Sequence, residues 1–258
     1  MGYETILFEV AEGVATITLN RPEVMNGLNT TMRRDILAAT GEAAAQARVM
    51  VLTGAGRGFC SGQDLDPRQI NDELDLEATL RDEYEPMLRA IYDCPIPTIA
   101  AVNGPAAGAG ANLALACDVA IAARSAVFIQ AFARIGLIPD AGGTYWLPRQ
   151  VGFARAMGAA LFAEPITAEQ AAAWGMIWQA VPDENFAETV KARAAQLAQG
   201  PAVAYRLIKR GLRDSLANDL AAQLALEAEL QGEAGRSRDF REGVAAFIEK
   251  RPARYEGR

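Results

Sequence analysis

The sequence predicts an α/β fold followed by a helical C-terminal region. Three observations predict it. Short apolar, β-branched runs alternate with helical stretches through the first half of the chain. Glycine-rich loops follow directly on two of those runs. From about Thr144 onward the pattern is nearly all helical.

Taken in order, "TILFEV" and "VATITLN", separated by "AEG", read as a β-hairpin. Residues 30–47 follow a threonine cap and read as an amphipathic helix. "VMVLTG" (49–54) reads as a buried strand that runs into the glycine-rich "GAGRGFCSGQDL" (54–65). Residues 72–92 look helical. "TIAAVNG" (98–104) is a second buried strand, followed by "PAAGAGANLALAC" (105–117), whose latter half is helical. "DVAIAA" (118–123) reads as a third core strand and "VFIQ" (127–130) as a fourth. "ITAEQAAAWGM" begins with a threonine cap, and the helix in "VPDENFAETVKARAAQLAQG" ends at Gly200 with Pro201 next. Residues 202–249 form two or three amphipathic helices. The one boundary therefore falls at Gly200–Pro201, giving a core over 1–200 and a helical region over 201–258.

Composition narrows the function. The chain has 258 residues and a net charge of -7, so it lacks the basic surface expected of a nucleic-acid binder. Cys60, Cys94 and Cys117 lie far apart with no CxxC pair, which suits a reducing compartment. The N-terminal "MGYETILFEV" lacks the basic start and long apolar run of a secretory signal, so a cytoplasmic protein is expected. The charge-free stretch 94–117 is broken by prolines and glycines and reads as buried strand, turn and helix, not as a membrane span. Zero histidines exclude a Ser-His-Asp triad, a Cys-His pair and an HExxH zinc site. Acid–base chemistry must fall to Asp, Glu, Lys, Tyr or Cys.

Both glycine-rich loops sit at the carboxyl ends of predicted strands, where α/β proteins bind ligands. "GAGRGF" is not GxGxxG, since Phe59 takes the place of the third glycine, and no GxxxxGK occurs. Two readings stay open: structural turns, or an oxyanion hole with one backbone N–H from each loop. "GLIPDAGG" (136–143) sets one carboxylate, Asp140, among apolar and glycine residues. Such a group is costly unless hydrogen-bonded, exposed or used. Asp140 is either the N-cap of a helix beginning near Gly142–Thr144 or a functional carboxylate.

Five stretches carry a resemblance: "NRPEVMNGLN" (20–29), "VLTGAGRGFCSGQDL" (51–65), "AAVNGPAAGAGANLALACDVAIAA" (100–123), "GLIPDAGGTYWLPR" (136–149) and "REGVAAFIEKR" (241–251). Their order resembles the crotonase superfamily of enoyl-CoA hydratases and isomerases, over essentially the whole chain. The resemblance implies a spiral of ββα units with a C-terminal helical region that builds homotrimers, often paired into hexamers. It implies an acyl-CoA thioester substrate, no metal, and no cofactor beyond the CoA that belongs to the substrate. The oxyanion-hole donors would be the backbone N–H groups of Gln63 and Ala109, with Asp140 moving a proton. Val24, Gln63, Asp64, Leu65, Ala109, Asn112, Phe132 and Lys250 would lie along the acyl-CoA.

The two glutamates by which hydratases of the family activate water would fall at Asn112 and Phe132, and neither is a carboxylate. The resemblance therefore implies an isomerase. Asn112 would meet either a polar part of the substrate or the local backbone, and Phe132 would shape the pocket. The apolar surround of Asp140 would include Phe132, Leu137 and Ile138. Asp64 and Asp118 also read as structural, one following a turn and the other starting a strand. Tyr145 and Trp146 read as helix-packing aromatics, and Lys250 with Arg251 as a CoA-phosphate contact or a solvated helix end. "AFARIGLIPDAGGTYWLPR" and "GRSRDFREGVAAFIEKR" look most like the branch that converts the ring 1,2-epoxide of phenylacetyl-CoA to an oxepin isomer. Alternatives are a 3-enoyl-CoA to 2-enoyl-CoA isomerase or hydratase-like enzyme of fatty-acid breakdown, and a non-catalytic acyl-CoA-binding subunit.

Overall fold

A computed structural model describes residues 2–65 and 75–257. The chain begins with the hairpin β1 (Ile6–Ala11) and β2 (Val14–Leu19), paired antiparallel as expected. A 3₁₀ turn at Pro22–Val24 leads into α1 (Thr30–Gln46). The cap of α1 is Asn29, not the following threonine. Asn29 is extended, and its side chain accepts the Met32 N–H at 2.8 Å, which a residue already inside the helix cannot do.

β3 (Val49–Gly54) pairs parallel to β2. Within the expected helix at 72–92, residues 72–74 lie outside the described residues. The rest is α2 (Leu76–Thr79), a single π-helical turn at Leu80–Tyr84, and α3 (Glu85–Tyr92). Then come β4 (Thr98–Val102), β5 (Ala106–Ala107), α4 (Ala109–Ala116), β6 (Val119–Ala123) and β7 (Val127–Ile129). A 3₁₀ turn spans Ala131–Ile135. The remainder is α5 (Gly143–Val151), α6 (Phe153–Phe162), β8 (Ile166–Thr167), α7 (Ala168–Ala173), β9 (Gln179–Val181) and α8 (Asp183–Ala198). The tail holds α9 (Ala202–Asp214), α10 (Leu220–Gly235) and α11 (Arg238–Glu249).

Six strands form the main sheet in the order β1-β2-β3-β4-β6-β9, parallel from β2 onward. "VFIQ" does not join it. β7 lies in a second, three-stranded sheet in the order β5-β7-β8, which the run of apolar residues alone could not reveal. The alternation of side chains along a strand explains why both faces of the main sheet are apolar. Met50 and Leu52 pack with Met32 and Ile36 of α1 in one core. Val49 and Val51 pack with Val190 and Ala194 of α8 in a second. Helices on both faces leave the carboxyl ends of β3 and β4 open, and both glycine-rich loops start there.

The tail is fastened to this core. Asp118 takes 2.6 Å ion pairs from Lys209 and Arg213 of α9 while accepting the Thr98 N–H at 2.8 Å. That bears out Asp118 as structural. Trp146 packs against the Tyr92 ring at 5.0 Å and the Tyr145 ring at 4.8 Å, as helix-packing aromatics do. The three cysteines are free and buried. Among the described residues no helix is long and apolar enough to cross a membrane.

Candidate active site

The first glycine-rich loop is stitched to the segment before α1 on one side and to the second glycine-rich loop on the other. Leu28 N–H donates to Gly62 O at 2.8 Å, and Asp64 N–H donates to Leu28 O at 3.2 Å. This parallel bridge uses the groups on either side of Gln63, so the Gln63 N–H points away from Leu28. A second bridge joins Cys60 to Ala106, with Ala107 N–H donating to Cys60 O at 2.9 Å. Gly62 sits between them at a φ of +91°, and a Cβ there would lie 2.7 Å from Ala107 O and 3.3 Å from Ala109 N. Only glycine fits that approach. Ala109 opens α4, so its N–H is one of the helix's orphan donors at the positive end of the dipole. Neither the Gln63 nor the Ala109 N–H meets an acceptor among the described residues.

The side chain of Gln63 is held from behind. Its Oε1 accepts from Arg33 Nη1 at 2.8 Å and from the Tyr84 hydroxyl at 2.6 Å. Arg33 is 3% exposed, donates to Leu28 O at 2.7 Å, and pairs with Glu83 at 2.6 Å. A buried guanidinium is tolerable because every face of it is engaged.

Asp140 enters from the segment between the 3₁₀ turn and α5. It is not the helix cap: Gly142 holds that position, and no side chain caps α5. The backbone carbonyl of Asp140 is pinned instead, accepting Asn112 Nδ2 at 2.7 Å and Gly143 N–H at 2.8 Å. Gln130 Nε2 donates to Asn112 Oδ1 at 2.8 Å and fixes that amide in turn. In the carboxylate, Oδ1 is buried and without a hydrogen-bond partner. Burial pushes its pKa up to about 6, opposed only by its own backbone N–H. Cys60 offers no competing nucleophile, since complete burial holds its thiol at about 12.

Gln63, Leu65, Ala109, Phe132 and Asp140 line one cavity of about 230 Å³. It is mostly apolar, with two free backbone donors and one carboxylate converging on it. Val24, Asp64, Asn112 and Lys250 do not line it. Val24 accepts Ser61 Oγ at its carbonyl, 3.1 Å away, and Asp64 is paired with Arg21 at 2.7 Å. Asn112 is wholly buried, and its amide is taken up by the Asp140 carbonyl, 28 residues away, and by Gln130. Lys250 is the exposed C-cap of α11. Ile138 is not part of the surround of Asp140. It is 77% exposed, because the turn at Gly136 points it outward while Leu137 reaches the cavity wall. Tyr84 and Arg33 were not predicted. The signal for Tyr84 was the four-residue spacing of Leu76, Leu80 and Tyr84, all three of which line the cavity.

The sequence profile of the enoyl-CoA hydratase/isomerase family matches residues 9–258. A Rhodobacter capsulatus protein named probable enoyl-CoA hydratase is 63% identical over 258 residues, covering all of both chains. The 1,2-epoxyphenylacetyl-CoA isomerase of Escherichia coli is 48% identical over 260 residues, covering 99% of each. Among solved structures, an enoyl-CoA hydratase from Bacillus anthracis superposes with a TM-score of 0.91 at 32% identity, covering 99% of this chain and 100% of that one. The chain belongs to the enoyl-CoA hydratase/isomerase family and has the crotonase fold. It is an enzyme of a family that acts on CoA thioesters.

Proposed function

We propose that this protein is an acyl-CoA isomerase that rearranges the ring 1,2-epoxide of phenylacetyl-CoA to its oxepin isomer. The observation that carries the isomerase reading is the single carboxylate of Asp140, with Oδ1 unpartnered, in a cavity with no second carboxylate on its wall among the described residues. Substrate and product are isomers: the C–C bond between the two epoxide carbons opens as the ring π electrons shift within the substrate, with no group gained or lost, and the protein's part is to move a proton. The Gln63 and Ala109 N–H groups hold the thioester oxygen as it gains enolate charge. Asp140 takes the proton from the α-carbon and returns it to a ring carbon, ending as it began. A hydratase must activate water, and Asn112 and Phe132 carry no group for that. The 48% identity to the epoxide isomerase supports the substrate.

The same reading takes the isolated chain for one subunit of a cytoplasmic homotrimer or dimer of trimers. Leu212, Leu220, Phe247 and Ile248 of the tail are exposed, and apolar exposure on that scale marks a protein interface. On this reading Lys250 meets CoA only once the subunits assemble.

The experiment is direct. The ring epoxide of phenylacetyl-CoA is generated with its epoxidase, this protein is added, and the products are separated and weighed. A rearranged product of equal mass is expected. An untouched epoxide, with 3-hexenoyl-CoA converted instead, would replace the aromatic substrate with an aliphatic one.

The pH dependence follows from Asp140. The ionised form is the base, so kcat/KM rises through about pH 6 and is flat above it. Folding stability runs the other way for this group. Its proton is held more tightly folded than unfolded, so its contribution falls as pH rises from the ordinary carboxylate range to about 6. A rate profile between pH 4.5 and 8 with no inflection would rule out Asp140 as the base.

A further inference from the structure

Tyr84 is a polar group on the cavity wall that the chemistry above does not use. It ends the π-helical turn Leu80–Tyr84, a distortion that recurs at functional sites. Its ring is buried under Arg33, whose guanidinium carbon lies 4.7 Å from the ring centre. Its hydroxyl donates to Gln63 Oε1 at 2.6 Å, an oxygen that also receives Arg33 Nη1 at 2.8 Å. Gln63 therefore keeps a charge-assisted bond if the phenol turns away.

The other hydroxyl and guanidinium donors on the wall bond to backbone carbonyls, not to a side chain that a charged group also holds. Ser61 Oγ donates to Val24 O at 3.1 Å and Thr79 Oγ1 to Asp75 O at 2.9 Å, while Arg134 donates to Ala163 O. Val24 O also receives the Gly27 N–H at 3.2 Å and Asp75 O the Thr79 N–H at 3.1 Å, but neither second donor is charged, as Arg33 is for Gln63. The Tyr84 phenol also stays protonated. Burial drives its pKa well above the usual range, and the Asp140 charge adds to the rise while Arg33 opposes it. Tyr84 is thus an O–H donor whose present acceptor is served twice.

We infer that Tyr84 sets substrate specificity by donating its hydroxyl to an ether or epoxide oxygen in the acyl group. The inference rests on the epoxide reading above. An aliphatic enoyl chain carries no acceptor beyond its thioester, so with it the hydroxyl stays on Gln63. A ring epoxide carries the missing acceptor. The bond then aligns the ring against Asp140, and a site built for a substrate oxygen discriminates against analogues that lack it.

The test compares two substrates in one variant. Tyr84→Phe keeps the ring and its packing against Arg33. With the ring epoxide of phenylacetyl-CoA, kcat/KM is expected to fall roughly tenfold, the scale of one well-aligned hydrogen bond. With 3-hexenoyl-CoA it is expected to fall by clearly less, since only the Tyr84 bond to Gln63 Oε1 is lost and Arg33 keeps the other. Incorporating 3-fluorotyrosine at position 84 keeps both shape and donor, and should retain the epoxide rate. Equal effects of Tyr84→Phe on both substrates, or none on either, overturn the inference and leave the epoxide reading standing. A wild-type enzyme that converts 3-hexenoyl-CoA but not the epoxide overturns both.

Discussion

Asp140→Asn is expected to lower kcat by about 10²–10⁴-fold, the range for losing a positioned general base. Affinity for an unreactive acyl-CoA should not change. The substitution is nearly isosteric, and the pinned group at this residue is its backbone carbonyl, held by Asn112 and Gly143, which the change does not touch. Oδ1 has no protein partner to lose. The fold should therefore tolerate the variant, with a thermal midpoint within a few degrees of wild type. What disappears is the ability to accept a proton at about neutral pH. Two readings separate mechanism from binding: turnover, and washout of the α-proton in deuterated water. Wild type should exchange it and the variant should not. Near wild-type turnover in the variant would exclude Asp140 as the shuttle. A wild type that binds acyl-CoA without exchange would make the chain a binding subunit.

The same residue marks how far sequence alone reaches. A lone carboxylate in an apolar, glycine-rich stretch was visible, but its competing use as a helix cap was not decidable without Gly142 in the cap position. The strands, the hairpin and both loops were legible because short apolar runs and glycine punctuation are local signals. Gln63, Leu65 and Ala109 converge because those loops leave neighbouring strand ends, and Phe132 joins them from the 3₁₀ turn after β7. The partners of Gln63 were not legible. Arg33 lies 30 residues before it and Tyr84 21 residues after, and no local pattern joins an arginine on one helix to a tyrosine on another. Asn112 was left between substrate and backbone for the same reason. Its choice depends on Asp140 O, 28 residues away. The outward turn of Ile138 and the transfer of "VFIQ" to a second sheet are likewise tertiary decisions, made by what each segment packs against.

Gly110→Ala is expected to damage activity severely. Gly110 is the second residue of α4, and its α-carbon faces Cys60. An added Cβ would lie 2.7 Å from both Cβ and Sγ of Cys60, and closer still to the Cys60 carbonyl oxygen. That carbonyl is backbone and already accepts from Ala107, and Cys60 is wholly buried, so it cannot swing clear. The loops must part instead. Overpacking of this kind costs about 1–3 kcal/mol of stability, which a urea melt reads directly. The catalytic cost is larger, because the Gln63 and Ala109 N–H groups sit on the two segments being pushed apart. Losing one such donor costs about 10²–10³ in rate. The loss should appear in kcat more than in KM, because enolate charge develops on the thioester oxygen in the transition state and not in the bound substrate. Gly235→Ala is the matched control. Nothing lies within 4 Å of a Cβ there, and its φ is not in the left-handed region, so rate and stability should stay at wild-type values. A Gly110→Ala enzyme with wild-type kcat would mean that the juxtaposed loops do not form the oxyanion hole, whatever the family resemblance implies.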